Sequence, residues 1–285
     1  MENISQLSHI QEMIEDIVVL NNSSTRSYTI VENFIKSNDH IPFKYINAPS
    51  NLGVARGRNL AAAMAKGDIM VFVDDDIIIE DKNILPKIIT SFSPHTPIDR
   101  EIGVSCFKVL YYSNRQMQQT AFPHKNFNKH KDNTSLFTSY YIGCAHAFRK
   151  KVWDACGNYP EDFFYGMEEY DLGYRVLDKG YAIQYDASVV MLHKESPLGR
   201  KTKSEKQKML WVNKSKVAWR FLPKQYFYST AILWSGEYLI KSHLNLKFFL
   251  PAVREVASIP FSERRTPVSK STLKYLRQTG ARLWY

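Results

Sequence analysis

Cysteine is scarce in this sequence, and the spacing of the few cysteines argues against a disulfide framework or a zinc site. Cys106, Cys144 and Cys156 are odd in number and form no Cys-x-x-Cys pair. We therefore expect these three residues to be packing residues.

Long apolar runs are also absent. No apolar run reaches the roughly 20 residues that a membrane-spanning helix requires. The start, Met1-Glu-Asn-Ile-Ser-Gln6, lacks the basic and then apolar pattern of a secretory signal peptide. We therefore predict a cytoplasmic protein. Signatures of helix-turn-helix, zinc-finger and RNA-binding domains are missing as well, so no nucleic-acid partner is expected.

Negative charge is scarce in the last third of the sequence. Residues 194–285 hold 19 Lys and Arg against 5 Asp and Glu, a net charge of +14. Residues 1–193 hold 19 against 23, a net charge of −4. A basic segment of this kind favours contact with an anionic membrane surface or with a phosphorylated substrate.

An apolar run ends abruptly on three consecutive carboxylates. Residues 69–73 are Ile-Met-Val-Phe-Val, without the alternation of a half-exposed strand, which predicts a central parallel strand covered on both faces. Ligands of open parallel sheets bind beyond the carboxyl ends of the strands, where Asp74, Asp75 and Asp76 would lie. Such carboxylates suit a hard divalent cation, although a solvated acidic turn is the alternative interpretation.

Strand-like runs alternate with helical segments along most of the chain. Strands are predicted at residues 16–20, 43–46, 69–73, 102–110, 141–148 and 182–192. Helical periodicity or helix-forming residues fill most of the intervals between them, while residues 111–140 form a long polar and aromatic excursion. This order predicts an α/β fold.

A second acidic cluster opens the helix predicted near residue 168. Glu168, Glu169 and Asp171 lie in its first turn, where they either serve a site or merely complement the helix dipole. His193 follows the strand predicted at 182–192. Because strand ends and helix starts of this kind share one edge of a sheet, we expect these groups to lie near the three aspartates. Carboxylate oxygens and one imidazole suit Mn²⁺ or Mg²⁺.

The order of these motifs resembles the family two nucleotide-sugar glycosyltransferases, which have the GT-A fold. The resemblance covers roughly residues 5–220 and is carried by segments 51–59, 67–76, 143–149, 157 and 164–172 and by His193. Residues 73–76 are similar to the family's Asp-x-Asp motif. Residues 168–172 are similar to its Glu-Asp-x-Asp-Leu helix. The resemblance implies a mostly parallel, Rossmann-like sheet flanked by helices, with a basic helical C-terminal extension.

The resemblance also implies catalytic roles. A divalent cation, Mn²⁺ or Mg²⁺, would be held by Asp76, with Asp74 assisting and His193 as a third ligand. Glu169 would be the general base that deprotonates an acceptor hydroxyl, and Asp171 would be the second candidate base. Such a displacement inverts the anomeric configuration.

Further residues are expected to bind the nucleotide-sugar donor. The resemblance implies this role for Arg58, and Asn21 stands where the family has an aspartate that reads the base. Asp74 and Asp75 are expected to contact the donor as well. Arg200 lies in a basic loop after residue 193, which is either a diphosphate-binding lid or a solvated loop.

The start of the chain departs from the family pattern. The family begins with an apolar strand, whereas this sequence begins at the helix that follows it. Because that strand belongs to the middle of the sheet, we expect the true start to lie about 10 to 20 residues upstream.

Residues 1–220 are predicted to form the GT-A domain, with nucleotide binding in about 1–110 and acceptor binding in about 111–220. Residues 221–285 form the basic, aromatic-rich extension. The expected function is metal-dependent, inverting sugar transfer to a surface-polysaccharide or lipid-linked acceptor, at the inner face of the cell membrane. The alternatives are a catalytically impaired sugar- or nucleotide-binding relative and a nucleotidyltransferase.

Overall fold

Strands and helices alternate through the computed structural model, which describes residues 1–93, 99–195 and 202–284. The strands are β1 (Ile17–Asn21), β2 (Phe43–Asn47), β3 (Ile69–Val73), β4 (Ile77–Ile78), β5 (Ile102–Tyr111), β6 (Ser135–Thr138), β7 (Ala145–Arg149) and β8 (Ala182–His193). The α-helices are α1 (Glu2–Ser5), α2 (Ile10–Met13), α3 (Thr29–Lys36), α4 (Gly53–Met64), α5 (Ile84–Thr90), α6 (Phe127–His130), α7 (Lys150–Cys156), α8 (Glu168–Asp178), α9 (Lys203–Phe221), α10 (Lys224–Lys241), α11 (Phe249–Ser262) and α12 (Lys270–Gln278). The predicted α/β class is confirmed.

The described strands form two sheets. β1 and β2 pair in parallel, and the larger sheet has the order β3-β7-β5-β8-β4, with β6 paired to β8. In the larger sheet β5 and β8 are parallel, whereas the remaining pairs are antiparallel. The parallel pairing expected from the sequence is therefore present at β1–β2 and β5–β8, within a mixed arrangement.

The strand before the three aspartates differs from its prediction as a central parallel strand covered on both faces. Within the described residues β3 pairs with β7 alone, and the pairing is antiparallel. Met70 is 5% exposed, but Val71 and Val73 are 40% and 36% exposed. An apolar, β-branched run favours a strand, whereas the covering of its faces depends on the neighbours that the fold supplies.

Asp16, just before β1, links β2 to the segment that precedes β3. Oδ2 of Asp16 accepts hydrogen bonds from Lys44 Nζ on β2 at 2.6 Å and from the backbone amide of Lys66 at 3.0 Å. In the ranges that the structure describes, no strand pairs with both β1 and β3. The expectation that a further strand lies between them stays a prediction.

One apolar core joins the larger sheet to the C-terminal helices. Val104 of β5 and Phe148 of β7 belong to the same cluster of buried side chains as Ala252 of α11. Trp211 of α9 stacks on Phe249 of α11, with 5.6 Å between the ring centroids. The C-terminal helices therefore share one core with the sheet, and α10 and α11 pack on α9.

Helix α9 begins with a complete capping box. Thr202 Oγ1 accepts the Glu205 amide at 3.3 Å, and the Thr202 amide donates to Glu205 Oε2 at 3.2 Å. These bonds satisfy backbone groups that the helix start would otherwise leave open. Among the residues that the structure describes, no helix is both long enough and apolar enough to cross a membrane.

Candidate active site

Arg58 of α4 lies between the two acidic motifs. Its Nη2 donates to Asp74 Oδ1 at 2.9 Å and to the Gly143 carbonyl oxygen at 2.9 Å. Its Nη1 lies 3.1 Å from Glu168 Oε1 and 3.5 Å from Glu169 Oε1. One guanidinium group therefore contacts both the end of β3 and the start of α8. This agrees with the expectation that the two acidic motifs lie at the same edge of the sheet.

Helix α4 holds Arg58 by packing against the segment before α8. The Asn59 side chain makes two hydrogen bonds to the Tyr159 backbone, donating to its carbonyl at 2.9 Å and accepting its amide at 2.9 Å. Gly53 opens α4 with a φ of +76°, and a Cβ there would lie 2.5 Å from the Phe164 carbonyl oxygen. Glycine is therefore required for this close approach.

An aromatic layer covers the buried side of Arg58. The Arg58 Cζ lies 6.0 Å from the centroid of the Tyr159 ring. The Tyr159 hydroxyl lies 2.9 Å from His146 Nε2 and accepts a hydrogen bond from the Tyr141 hydroxyl at 3.2 Å. Burial, followed by the nearby Arg58, lowers the pKa of His146 well below its ordinary value. The imidazole is therefore neutral and does not compete with Arg58 for the carboxylates.

The two glutamates that open α8 are largely shielded from solvent. The side chains of Glu168 and Glu169 are 2% and 15% exposed. Burial, and then repulsion by Glu169, raises the pKa of Glu168 to about 8. Burial also raises the pKa of Glu169, against the attraction of Arg58, which lowers it. Raised pKa values let these carboxyl groups exchange a proton closer to neutral pH than ordinary glutamates do.

Gly143 provides the room that this cluster needs. A Cβ at Gly143 would lie 2.1 Å from Glu169 Oε1 and 2.7 Å from Arg58 Nη1. Both distances are too short for real contacts, so any larger residue would displace the arginine or the glutamate. The glycine thus lets the loop before β7 approach the charged groups directly.

Asp76 and His193 form a second contact at the same edge. His193 Nε2 lies 3.1 Å from Asp76 Oδ1, and its Nδ1 lies 2.8 Å from Gln118 Oε1. The Asp76 side chain is 16% exposed and the His193 side chain is 13% exposed. The backbone also joins here, because the Lys194 amide donates to the Asp76 carbonyl at 2.9 Å. Gln118 therefore orients the imidazole toward the carboxylate, as partners of metal-binding histidines do.

Asp76 and His193 supply two ligand atoms that suit a divalent cation, which is fewer than a complete metal site needs. Asp76 offers a carboxylate oxygen beside the imidazole nitrogen of His193, a pair of donors that Mn²⁺ accepts. Asp74, the other predicted ligand, is bound to Arg58 and 42% exposed. In the described part of the chain, no group of three His, Cys, Asp or Glu side chains is close enough together to hold a metal ion. Asp76 and His193 therefore fit a cation whose remaining ligands come from elsewhere, as diphosphate oxygens and water do.

Asn21, predicted to read the nucleotide base, lies at the end of β1 with its side chain engaged. Its Nδ2 donates to Asn47 Oδ1 at 3.0 Å and to the Tyr45 hydroxyl at 3.2 Å, while its Oδ1 accepts the Ser24 amide at 2.9 Å. The neighbouring Asn22 instead binds the backbone at the start of α4. Base recognition by Asn21 stays a prediction.

Asp171, the second candidate base, is engaged elsewhere. Its Oδ1 lies 2.9 Å from Arg175 Nη2, and its Oδ2 lies 3.0 Å from Arg220 Nη1 of α9. The side chain is 5% exposed. Because its two oxygens contact Arg175 and Arg220, Asp171 joins α8 to α9. Its role as a base stays a prediction.

Asp75 and Arg200 are the remaining residues predicted to bind the donor. Asp75, expected to contact the donor, is exposed between Asp74 and Asp76 at the end of β3. Arg200, expected in a diphosphate-binding lid, lies outside the described residues.

Sequence reasoning missed the internal partners of the site. It assigned Arg58 to the nucleotide, which stays a prediction, and it did not foresee the contacts of Arg58 with carboxylates of both acidic motifs. It assigned no role to Tyr159 or Gln118, whose types and positions give no separate signal. Gly143 begins segment 143–149, which carries part of the family resemblance, so the need for a residue without a side chain could have been suspected there.

The α/β fold, with acidic motifs at a strand end and a helix start, defines a GT-A glycosyltransferase. The chain belongs to glycosyl transferase family 2, whose family model matches residues 4–157, more than half of the sequence. The fold and the enzyme class expected from the motifs are therefore confirmed.

Two relatives align with about half of the chain. An uncharacterized protein of Haemophilus influenzae is 32% identical over 147 residues, which cover 52% of this chain and 77% of that protein. The O-antigen chain rhamnosyltransferase WbaN of Salmonella anatum is 29% identical over 163 residues, which cover 53% of this chain and 49% of that protein. The second alignment thus spans about half of the rhamnosyltransferase.

Solved structures extend the similarity to almost the whole chain. TarS 1–349 of S. aureus in complex with UDP-GlcNAc matches with a TM-score of 0.63 and 14% identity, covering 98% of this chain and 82% of TarS 1–349. The mannosyltransferase PcManGT of Pyrobaculum calidifontis, in complex with GDP-Man and Mn²⁺, matches with a TM-score of 0.57 and 15% identity, covering 97% and 73%. At such low identity these likenesses establish the fold.

Proposed function

We propose that this glycosyltransferase is metal-dependent and inverting, and moves a sugar from a nucleoside-diphosphate sugar to a hydroxyl group of a glycan. The observation that carries the proposal is the contact of Arg58 with Asp74 on one side and with Glu168 and Glu169 on the other. This contact supports the proposal that Asp74 acts on the donor beside the carboxyl group that accepts the proton.

Glu169 is the proposed general base. It accepts the proton of the acceptor hydroxyl while the hydroxyl oxygen bonds to the anomeric carbon of the sugar. The bond from that carbon to the diphosphate oxygen breaks in the same step, and the electron pair leaves with the nucleoside diphosphate. The raised pKa of Glu169, caused by its burial, supports this role because it makes the carboxylate a stronger base.

Asp76 and His193 are the proposed protein ligands of the divalent cation, with Asp74 near the same edge. When bound, Mn²⁺ or Mg²⁺ neutralises negative charge on a diphosphate. Gln118 keeps the imidazole turned toward Asp76, and Arg58 limits the freedom of Asp74. The complex of PcManGT with Mn²⁺ supports the use of a divalent cation on this fold.

The acceptor is proposed to be a surface polysaccharide or a lipid-linked glycan at the inner face of the cell membrane. The similarity to an O-antigen chain rhamnosyltransferase supports this class of acceptor. Structures of the same fold bind GDP-Man and UDP-GlcNAc, which supports a nucleoside-diphosphate sugar as donor. In this proposal residues 1–220 carry the chemistry, and residues 221–285 form the extension that faces the membrane.

The test combines ligand binding with sugar transfer. Thermal stability is measured with a set of nucleoside diphosphates, with and without Mn²⁺, because a ligand of the folded state raises the melting temperature. The preferred nucleotide then identifies donors for transfer and hydrolysis assays. We expect Asp76→Ala to abolish both the Mn²⁺-dependent stabilisation and the turnover of the donor, whereas Glu161→Gln, at an exposed position outside the acidic motifs, changes neither.

Two outcomes would contradict the proposal. Activity that survives Asp76→Ala would refute the metal assignment. Nucleotide binding without transfer or hydrolysis of any donor would favour the catalytically impaired relative instead.

A further inference from the structure

The turn between α10 and α11 exposes a concentrated group of large apolar side chains. Ile240, Leu244, Leu246 and Leu250 are 75%, 70%, 59% and 61% exposed. They fall within eleven consecutive residues, 240–250, which we call the hairpin tip. Single exposed leucines are common on protein surfaces, whereas several close together mark an interaction surface.

The hairpin tip has a defined backbone. The Leu244 amide donates to the Leu239 carbonyl at 2.8 Å, and the Tyr238 hydroxyl donates to the Asn245 carbonyl at 2.8 Å. His243 and Leu244 have φ values of 52° and 58°, a left-handed conformation that costs roughly 1 kcal/mol or more for each such residue. The backbone is therefore strained at His243 and Leu244, and the Leu244 side chain remains exposed.

The flanking helices are anchored from below. Tyr238 of α10 is 1% exposed, and Ala252 of α11 is fully buried in the main core. Both helices pack on α9, so the tip is attached to the core of the molecule through packed helices. A surface on such a support can carry the whole enzyme with it.

The charge of this region selects the kind of partner. Residues 221–285 hold ten Lys and Arg against three Asp and Glu. The tip also contains Lys241, His243 and Lys247, and no acidic residue is present in it. Lys241 also pairs with Glu237, so Lys247 and the overall charge provide most of the attraction. Apolar side chains among basic ones are typical of segments that bind anionic bilayer surfaces.

We propose that the hairpin tip is a membrane-docking surface, whose leucines and Ile240 enter the headgroup region of an anionic bilayer. Contact between two copies of the chain is less favourable, because a two-fold contact would bring the cations of one tip against the same cations of the other. The purpose of this docking rests on the proposed function, since it would hold the enzyme beside a lipid-linked acceptor. The docking itself is independent of catalysis.

Vesicle binding tests the proposal with the full chain. We expect sedimentation with vesicles of phosphatidylglycerol and phosphatidylcholine, much weaker binding to phosphatidylcholine alone, and weakening by salt. The double variant Leu244→Gln and Leu246→Gln should bind the anionic vesicles at least about tenfold more weakly, because two apolar side chains no longer enter the bilayer. Its melting temperature should not fall, since both side chains are exposed.

The matched control is Ile30→Gln, a change at an apolar residue that is 80% exposed on α3. It should bind vesicles as the unaltered protein does. Equal binding by the double variant and the unaltered protein would overturn the proposal. So would a dimer in solution that the double variant converts to a monomer without any vesicle binding. Absence of transfer or hydrolysis of any nucleotide-sugar donor, with vesicle binding retained, would instead refute the proposed function and leave the docking surface in place.

Discussion

The two acidic clusters of this enzyme have similar side chains in very different surroundings. At the end of β3, the Asp74 side chain is 42% exposed and contacts Arg58, and the Asp76 side chain is 16% exposed and contacts His193. At the start of α8, Glu168 is 2% exposed and its pKa is raised, chiefly by burial, to about 8. The first cluster is suited to hold a charged ligand, whereas the second is suited to exchange a proton.

The difference comes from what surrounds each carboxylate rather than from the carboxylate itself. The Asp74 side chain is 42% exposed, so a ligand from solvent can reach it. Around Glu168 and Glu169, the backbone of Gly143 and the aromatic layer behind Arg58 exclude water, so the ionised forms depend on the arginine. Arg58 contacts both clusters, and changing it gives the sharpest test of the comparison.

Arg58→Ala should produce the largest effect, on both stability and activity. Removal of the arginine leaves Glu169 and Asp74 without their positive partner and Glu168 without its hydrogen bond, and loss of one member of a buried ion pair costs about 3–5 kcal/mol. Urea unfolding at neutral pH measures this loss, and transfer activity should fall below detection.

The matched control on the same helix is Arg56→Ala, at an exposed position where Nε donates to the Glu161 carbonyl at 2.7 Å. It should cost at most about 1 kcal/mol. Equal destabilisation by the two variants would mean that Arg58 does not support the buried cluster.

Glu169→Gln should come next in size, and it separates proton transfer from ligand binding. Loss of a general base lowers the rate about 10²–10⁴-fold. The base acts in its ionised form and its pKa is raised by burial, so kcat/KM of the unaltered enzyme should rise with pH through a value above the ordinary 4.5 of glutamate. That rise should disappear in Glu169→Gln.

Nucleotide-dependent thermal stabilisation should persist in Glu169→Gln, because its donor-binding carboxylates are intact. The residual activity of an Asp76→Asn variant should keep the same pH dependence. If the rise with pH vanishes in Asp76→Asn and remains in Glu169→Gln, the roles of the two clusters have been exchanged.

Glu168→Gln should have the smallest effect, visible in the pH dependence of stability. Because the pKa of Glu168 is raised in the folded protein, the folded state binds the proton more tightly than the unfolded state does. The associated stability is fully present below pH 4.5, the ordinary pKa, and is lost as the pH rises through about 8. Glutamine does not titrate, so Glu168→Gln should gain stability relative to the unaltered protein as the pH rises from 5 to 8, on the order of 1–3 kcal/mol.

Urea unfolding at several pH values measures that difference. Glu161→Gln serves as the control, because Glu161 is exposed and lies outside the buried cluster. A constant difference for Glu168→Gln would show that this carboxyl group ionises as an ordinary glutamate.

Much of the fold and part of the site could be predicted from the sequence. The alternation of apolar runs and helical segments predicted the α/β class, and the motifs around Asp74–Asp76 and Glu168–Asp171 predicted the enzyme family. The antiparallel, partly exposed position of β3 could not be predicted, because composition does not show which strands become neighbours. The pairing of Asp171 with Arg175 and Arg220 was hidden for the same reason, since Arg220 lies on a different helix.

The sequence by itself determined the family, the positions of the acidic motifs and the excess of positive charge after residue 193. These are properties of residue type and order, which local propensity and spacing express directly. Tertiary structure alone decided that Arg58 contacts both acidic motifs, that Asp171 joins two helices, and that the leucines of the hairpin tip face outward. Such outcomes depend on which distant segments meet and exclude water, and burial of this kind changes the pKa of a carboxyl group without changing its sequence neighbours.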